Sequence, residues 1–123
     1  MKLNDYKNAA FDNAESHGFH ETLNFGNLLM LIVSELGEAL EADRHEKWLK
    51  PDIKQDYEKQ SLSDGDFILW AKNHIVGTVE EEIADSLIRI FDLAGTYNID
   101  LDFIVDLKMR YNKLRPYKHG KKY

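Results

Sequence analysis

Two stretches of helical sequence each carry two acidic residues three positions apart, and these acidic pairs are the side chains of this chain best suited to chemistry. The first pair is Glu35 and Glu38, and the second is Glu82 and Asp85. Residues three apart are neighbours on one helix face, so each pair can present two carboxylates to the same space. Carboxylates bind divalent cations and accept protons from water. The spacing therefore predicts metal binding, general-base chemistry or both.

Glu35 lies inside the apolar stripe of its predicted helix, and Glu38 lies at the edge of that stripe. At about 100° of rotation per residue, the neighbours of Glu35 on the helix surface are apolar; they are Leu28, Leu31, Ala39 and Ala42. Burying an unpaired carboxylate costs several kcal/mol, so Glu35 must be protonated, paired or bound to a metal. The alternative is that both glutamates are ordinary surface acids.

Glu82 and Asp85 lie beside the predicted apolar face of their helix, together with Arg89. That face consists of Val79, Ile83, Leu87, Ile90, Phe91 and Ala94. Asp85 and Arg89 have the spacing of an intrahelical ion pair, so a structural role is the alternative. If the two helices pack side by side, four carboxylates converge and need a cation. Such an all-oxygen site suits Mg²⁺ or Mn²⁺ rather than zinc or copper, and no Glu-x-x-His motif supports a di-iron centre.

Length and composition limit the class of protein. The 123 residues suffice for one domain, which we expect to span residues 1–123. The chain has no cysteine, which excludes a disulfide scaffold or a cysteine-ligated metal. No apolar run approaches the roughly 18 residues of a membrane-spanning helix, and residues 1–18 lack the apolar core of a signal peptide. We therefore expect a cytoplasmic protein with no membrane partner.

The net charge of −6 is unevenly distributed along the chain. All 22 acidic residues precede Leu107, whereas seven of the 16 lysines and arginines follow it. The acidic body argues against a nucleic-acid partner, which would need a broad basic surface. The basic end, including the tail at residues 115–123, either neutralises the body or binds phosphates near carboxylate-held cations.

The hydrophobic pattern predicts an all-α protein with a four-helix-bundle core. The four main helices are expected at about residues 4–17, 24–47, 78–95 and 101–114. Thr78 and Glu81 form a capping box at the start of the third, and Asp100 caps the fourth. Residues 48–77 are predicted to be an irregular segment, in which 67–75 is either a short helix or a strand.

Three motifs resemble those of the MazG-like all-α nucleoside triphosphate pyrophosphohydrolases. Ser34-Glu35-Leu36-Gly37-Glu38 and Glu82-Ile83-Ala84-Asp85 resemble the paired E-x-x-E and E-x-x-D motifs of that family. The segment from Lys108 to Pro116 is similar to its K-x-x-x-N-x-x-R motif. The chain departs from the family pattern at Ser34, where an acid is common, and in the length of residues 48–77.

The resemblance implies hydrolysis of a (deoxy)nucleoside triphosphate between its α- and β-phosphates, giving a monophosphate and pyrophosphate. It implies a Mg²⁺ cofactor, for which Mn²⁺ can substitute, and a role in nucleotide-pool house-cleaning. The implied metal ligands are Glu35, Glu38, Glu82 and Asp85. The implied phosphate-binding residues are Lys108, Asn112 and Arg115. Either Glu35 or Glu38 would be the general base, and the sequence does not distinguish them.

Recognition of the base or sugar has weaker candidates, which are Asn24, Asn27 and Trp48, with Trp70 as a further stacking candidate. Residues 28–33 are apolar around most of the helix, which predicts a shared interface and hence a homodimer or homotetramer. Three other functions stay open. The first is a phosphoribosyl-ATP pyrophosphohydrolase, the second is a noncatalytic helical module that binds a nucleotide or a partner protein, and the third is an acidic scaffold that binds no nucleotide.

Overall fold

All regular secondary structure in the described part of the chain is helical. The computed structural model describes residues 1–21 and 24–122. Its α-helices are Leu3–Ser16 (α1), Phe25–Arg44 (α2), Ile53–Glu58 (α3), Asp64–His74 (α4), Val79–Thr96 (α5) and Leu101–Leu114 (α6), and a 3-10 helix follows at Tyr117–Gly120. Within these described residues there is no strand, which confirms the all-α prediction. None of the described helices combines the length and apolar composition that crossing a bilayer requires.

The chain divides into two units. The terminal unit consists of Met1–Leu23 together with Ile90–Tyr123, and the central unit is Asn24–Arg89. Helix α5 contributes its first part to the central unit and its last residues to the terminal unit. All four carboxylates of the two acidic pairs belong to the central unit.

The helices that carry the acidic pairs begin at side-chain caps. At the start of α2, the Asn24 side chain accepts a hydrogen bond from the Asn27 amide at 3.0 Å. At the start of α5, the Thr78 hydroxyl accepts from the Glu81 amide at 3.2 Å. Glu81 reaches back, but to the residue before the predicted cap: its Oε2 accepts from the Gly77 amide at 2.7 Å, while the Thr78 amide donates to the Ile75 carbonyl. These caps satisfy amides that have no partner within the helix, and they fix where each helix starts.

The segment that the sequence predicts as irregular contains α3 and α4. Ser63 caps α4, since its hydroxyl accepts from the Asp66 amide at 3.2 Å. The two helices share an aromatic cluster, in which the ring centroids of Tyr57 and Trp70 lie 5.0 Å apart and Phe67 meets Tyr57 edge-on. The alternative of a strand at residues 67–75 is therefore wrong. Trp70 packs inside this cluster, which accounts for it without a stacked ligand.

In the terminal unit, α1 packs against α6. The carboxylate of Asp102 accepts a hydrogen bond from the Leu3 amide at 3.0 Å, and Lys7 donates to the Ile99 carbonyl at 2.9 Å. Helix α5 continues past Gly95, which the sequence suggests as its end. A Cβ at Gly95 would lie 2.7 Å from Cβ of Phe11, so this glycine permits the close approach of α1.

Candidate functional site

The two acidic pairs come together in the central unit. Helix α2 supplies Glu35 and Glu38, and α5 supplies Glu81, Glu82 and Asp85. Carboxylate oxygens of Glu35, Glu38 and Glu82 all lie within 4.8 Å of one another, and so do those of Glu81, Glu82 and Asp85. We call these five residues the carboxylate cluster. Glu82 belongs to both groups and therefore lies at its centre.

On α2, the hydrophobic period correctly predicts which side of the helix is buried. The buried residues of this helix are Leu28, Glu35, Ala39 and Ala42. Glu35 is only 8% exposed, whereas Glu38 at the edge of the stripe is exposed. The alternative that both glutamates are surface acids is wrong for Glu35, because this residue lies on the buried face of α2.

On α5, the predicted apolar face is wrong in part. Ile83 and Leu87, which the pattern assigns to that face, are each about half exposed. Glu82 and Ser86 are buried instead, at 9% and 4% exposure. The physical reason is that burial follows the side of α5 that packs against its neighbours, and the polar cluster occupies that side. Glu82 is thus central to the packing of α5, whereas Glu81 and Asp85 are half-buried.

Arg89 pairs with Glu35 across the two helices. Its Nε donates to Oε1 of Glu35 at 2.6 Å, and the side chains are 34% and 10% exposed. The sequence alternative placed this arginine in an intrahelical ion pair with Asp85, but its ion pair in the central unit is with Glu35. Burial opposes ionisation of Glu35, yet the hydrogen bond and charge of Arg89 outweigh it and lower the pKa of this carboxyl.

Glu82 has a buried oxygen without a partner. Its Oε2 accepts or donates no hydrogen bond within the described residues. Burial, a hydrogen bond with Glu38 and the negative charge of Glu81 raise the pKa of Glu82 to about 7. Near neutral pH the Glu82 carboxyl is therefore protonated in part of the molecules and ionised in the rest. Buried polar atoms in folded proteins nearly always have a hydrogen-bond partner, so this oxygen is available as a ligand atom.

Asp85 and Glu81 form the outer part of the cluster. Burial, together with a hydrogen bond and charge repulsion from Glu81, raises the pKa of Asp85 to about 6. The sequence assigns Glu81 only to the capping box and misses its place beside Asp85. The signal was present, because Glu81 and Asp85 are four apart and such residues meet on one helix face.

The residues similar to the phosphate-binding motif lie in the terminal unit. Lys108 and Asn112 are on α6, and Arg115 follows as its C-terminal cap. Nζ of Lys108 lies 4.6 Å and Cζ of Arg115 5.4 Å from the centroid of the Tyr111 ring. Both cations therefore lie at one aromatic side chain, and Lys108 and Tyr111 also line an open groove of about 470 Å³ along α6. Within the terminal unit, α6 offers two positive charges and an amide on neighbouring turns.

The candidates for base recognition already have structural partners. Asn24 and Asn27 cap α2 reciprocally, since each side chain accepts a hydrogen bond from the backbone amide of the other residue. The Trp48 ring is 55% exposed, and its Nε1 donates to Oδ1 of Asp43 at 3.1 Å. Trp48 therefore retains a free ring surface, while the two asparagines have a role in the fold itself.

Comparison with known proteins adds no relative from which a role could be transferred. No protein-family model, curated protein or solved structure matches this chain. The site itself is a cluster of five acidic side chains, of which one, Glu35, is paired with a cation, Arg89.

Proposed function

We propose that this protein is a magnesium-dependent nucleoside triphosphate pyrophosphohydrolase that contributes to nucleotide-pool house-cleaning. It would cleave (deoxy)nucleoside triphosphates to a monophosphate and pyrophosphate, as the resemblance to MazG-like enzymes implies. The observation that carries the proposal is the buried Oε2 of Glu82, which has no partner among the described residues although Glu82 belongs to both groups of the carboxylate cluster. We also propose that the fold is a four-helix bundle of the MazG-like type.

The residues present fit a divalent cation. The orphaned atom of Glu82 is a carboxylate oxygen, and the neighbouring donors are carboxylate oxygens too. Mg²⁺ and Mn²⁺ prefer such oxygen ligands. We assign the ligand role to Glu35, Glu38, Glu82 and Asp85. When bound, the ion would neutralise charge on the phosphates and lower the pKa of an attached water.

We assign the proton-accepting role to Glu38 rather than Glu35. Glu38 is exposed, so a water molecule and a substrate can reach it. Glu35 is buried, so a water molecule and a substrate reach it less easily. A general base must lie within reach of the proton that it removes. The exposed member of the first pair meets this requirement better.

We assign phosphate binding to Lys108, Asn112 and Arg115. Lys108 and Asn112 are four apart on α6 and therefore share a face of the helix. Charge-assisted hydrogen bonds from such donors bind phosphate oxygens strongly. The assignment follows the motif resemblance, and the lysine and arginine at Tyr111 provide the positive charge that it requires.

We further propose that a second copy of the chain covers the exposed apolar side of α2, giving a homodimer or homotetramer. Met30, Val33, Leu36 and Leu40 are each more than half exposed. Their spacing of three or four places them along one side of the helix. Light scattering at micromolar concentration is expected to give at least twice the mass of 14.3 kDa. A uniform monomer would contradict this part of the proposal.

Product analysis tests the proposed reaction. Purified protein is incubated with Mg²⁺ and a panel of ribo- and deoxyribonucleoside triphosphates, and the products are separated. Monophosphate and pyrophosphate, lost on chelation, are expected. Diphosphate with orthophosphate would contradict the proposal, and cleavage of phosphoribosyl-ATP alone would favour the related enzyme. Binding of a nucleotide without turnover would favour the noncatalytic module.

A matched pair of variants connects that reaction to the cluster. Glu38→Gln removes the proposed base and one metal ligand, whereas Glu41→Gln changes an exposed acid on the same helix that pairs with Arg44 and His45. We expect turnover to be lost in the first and retained in the second, with the helical content of both unchanged. Equal turnover in the two variants would refute the assignment.

A further inference from the structure

We propose that Arg89 is the resident counter-cation of the carboxylate cluster, and that a divalent cation competes with it for Glu35. This inference rests on the proposed function, because it assumes that the cluster binds a metal. Arg89 then acts as a positioning residue. Its hydrogen bond holds the Glu35 carboxylate in place before the metal arrives, and it releases one carboxylate oxygen when the metal binds.

The contact itself is short and specific. Nε of Arg89 lies 2.6 Å from Oε1 of Glu35, and the two residues are 54 positions apart in the sequence. A charge-assisted hydrogen bond of this length is among the stronger polar contacts in proteins. Glu35 also forms one group with Glu38 and Glu82, in which carboxylate oxygens of the three residues lie within 4.8 Å of one another. The arginine therefore occupies an oxygen that belongs to the candidate metal ligands.

The charge of the cluster explains why a cation is needed before the metal binds. Five acidic side chains meet on α2 and α5, and their oxygens approach within 4.8 Å in two overlapping groups. Like charges at this distance repel one another unless some are protonated or a cation lies beside them. Arg89 supplies one positive charge to this group. A divalent cation would supply two, at the same carboxylates.

The burial of the two partners indicates which one moves. The Glu35 side chain is 10% exposed and lies on the buried face of α2, whereas the Arg89 side chain is 34% exposed. A long arginine side chain can turn its guanidinium toward water while its stem stays packed. Glu35 has no comparable freedom. We therefore expect the metal to displace Arg89 from Glu35, with little movement of the glutamate.

Replacing Arg89 distinguishes two roles for this residue: competition with the metal for Glu35, and orientation of Glu35 for the metal. If Arg89 competes with the metal, its removal lowers the stability of the metal-free protein and strengthens metal binding. If Arg89 only orients Glu35 for the metal, its removal weakens metal binding. Because coupling between two ligands of one site is reciprocal, the sign of the change in affinity distinguishes the two roles.

The test compares Arg89→Gln with Arg44→Gln. Arg44 lies in the same unit and forms an exposed ion pair with Glu41, so its variant removes the same charge away from the cluster. Thermal denaturation in EDTA and calorimetric titration with Mg²⁺ are measured for both variants and the wild type. We expect Arg89→Gln to melt at a lower temperature in EDTA and to bind Mg²⁺ at least about fivefold more tightly. Arg44→Gln should match the wild type in both measurements.

Weaker or unchanged Mg²⁺ binding by Arg89→Gln, with normal binding by the wild type, would overturn the role of Arg89 alone. Absence of Mg²⁺ binding by the wild type would overturn the proposed metal site, and the role of Arg89 with it. If Arg89→Gln does not fold in EDTA, Arg89→Lys provides the measurement. Its more compact charge should hold Glu35 less well, so we expect Mg²⁺ binding tighter than that of the wild type. Equal or weaker binding by Arg89→Lys would refute the competition.

Discussion

Each unit of this protein has a group of acidic side chains beside a basic one, but the two groups differ in how far the positive charge balances the negative charges. In the terminal unit, His20 lies between two carboxylates, with Nδ1 against Glu15 and Nε2 at 2.6 Å from Oδ1 of Asp92. We call these three residues the histidine cluster. In the central unit, the carboxylate cluster has five acids, one paired arginine and a buried oxygen without a partner in the described chain.

In the histidine cluster, both acidic side chains have a hydrogen-bond partner, which is His20. The His20 and Asp92 side chains are 15% and 13% exposed, and the His20 ring stacks on Phe11 with centroids 4.7 Å apart. A protonated imidazole donates from both nitrogens, so one cation serves both carboxylates. Buried acids alone therefore do not indicate a ligand site. The informative feature of the carboxylate cluster is its shortage of cations.

The largest effect is expected for Glu82→Gln, which removes the central acid of the carboxylate cluster and keeps its shape. If the cluster binds the catalytic metal, hydrolysis should fall by more than about 100-fold, beyond the usual effect of outer-shell partners. The same change removes a buried, repelled carboxylate, so stability in EDTA should rise by about 1 kcal/mol. Turnover assays and thermal denaturation measure the two effects. Loss of stability with retained turnover would show that Glu82 is only structural.

The next effect is expected in the histidine cluster. His20→Ala leaves Glu15 and Asp92 without their shared donor, and we expect a loss of about 2 kcal/mol in the free energy of unfolding at pH 6. His45→Ala is the control, because His45 is exposed and pairs with Glu41 on the helix surface. That control should cost no more than about 0.5 kcal/mol. Urea denaturation compares the two, and equal losses would show that the His20 contacts contribute nothing particular.

The same cluster should make stability depend on pH. Burial opposes the charged form of His20, but its hydrogen bonds to Glu15 and Asp92 and their charges raise its pKa above 6.5. A raised pKa in the folded state stabilises the protein fully below the unfolded value of 6.5, and this stabilisation is lost as pH rises through the folded value. The difference in unfolding free energy between wild type and His20→Ala should therefore narrow above pH 6.5. Glu82 and Asp85 titrate in both proteins, so their contribution cancels in this difference. A difference that stays constant with pH would contradict the role given to His20.

The smallest effect concerns Gly37, which lies between Glu35 and Glu38 on α2. A Cβ at this position would have no heavy atom within 4 Å, and the residue is inside a helix. Gly37→Ala should therefore stabilise the protein by about 0.5–1 kcal/mol through helix propensity. Because the alanine methyl touches nothing, Mg²⁺ binding should not change. A change in Mg²⁺ affinity would show that the cluster depends on backbone freedom at this point.

The sequence predicted those features that depend on local chemistry. Helix α6 spans Leu101–Leu114, the range that the sequence predicts. The Asp100 side chain caps it by accepting a hydrogen bond from the Phe103 amide at 3.1 Å. Burial of Glu35 followed from its position in an apolar stripe. In both cases the controlling interactions lie within a few turns of one helix, which is the range over which a sequence pattern is informative.

The features that the sequence did not predict depend on contacts between distant residues. Arg89 had an acid at the correct local spacing, but it pairs with Glu35 across 54 positions. Ile83 and Leu87 are apolar and were expected inside, yet packing of the cluster buries Glu82 and leaves them half exposed. A pattern of apolar residues cannot predict that a face of a helix is buried when an acidic side chain such as Glu82 is packed there.

The proposed reaction and the proposed role of Arg89 both require that the carboxylate cluster binds a divalent cation. Calorimetric titration of Mg²⁺ into wild type and Glu82→Gln, both in metal-free buffer at pH 7.5, tests this claim directly. We predict saturable binding by the wild type and its loss in the variant, while the two proteins keep the same helical circular dichroism. No binding by the wild type, or equal binding by both proteins, would contradict the account.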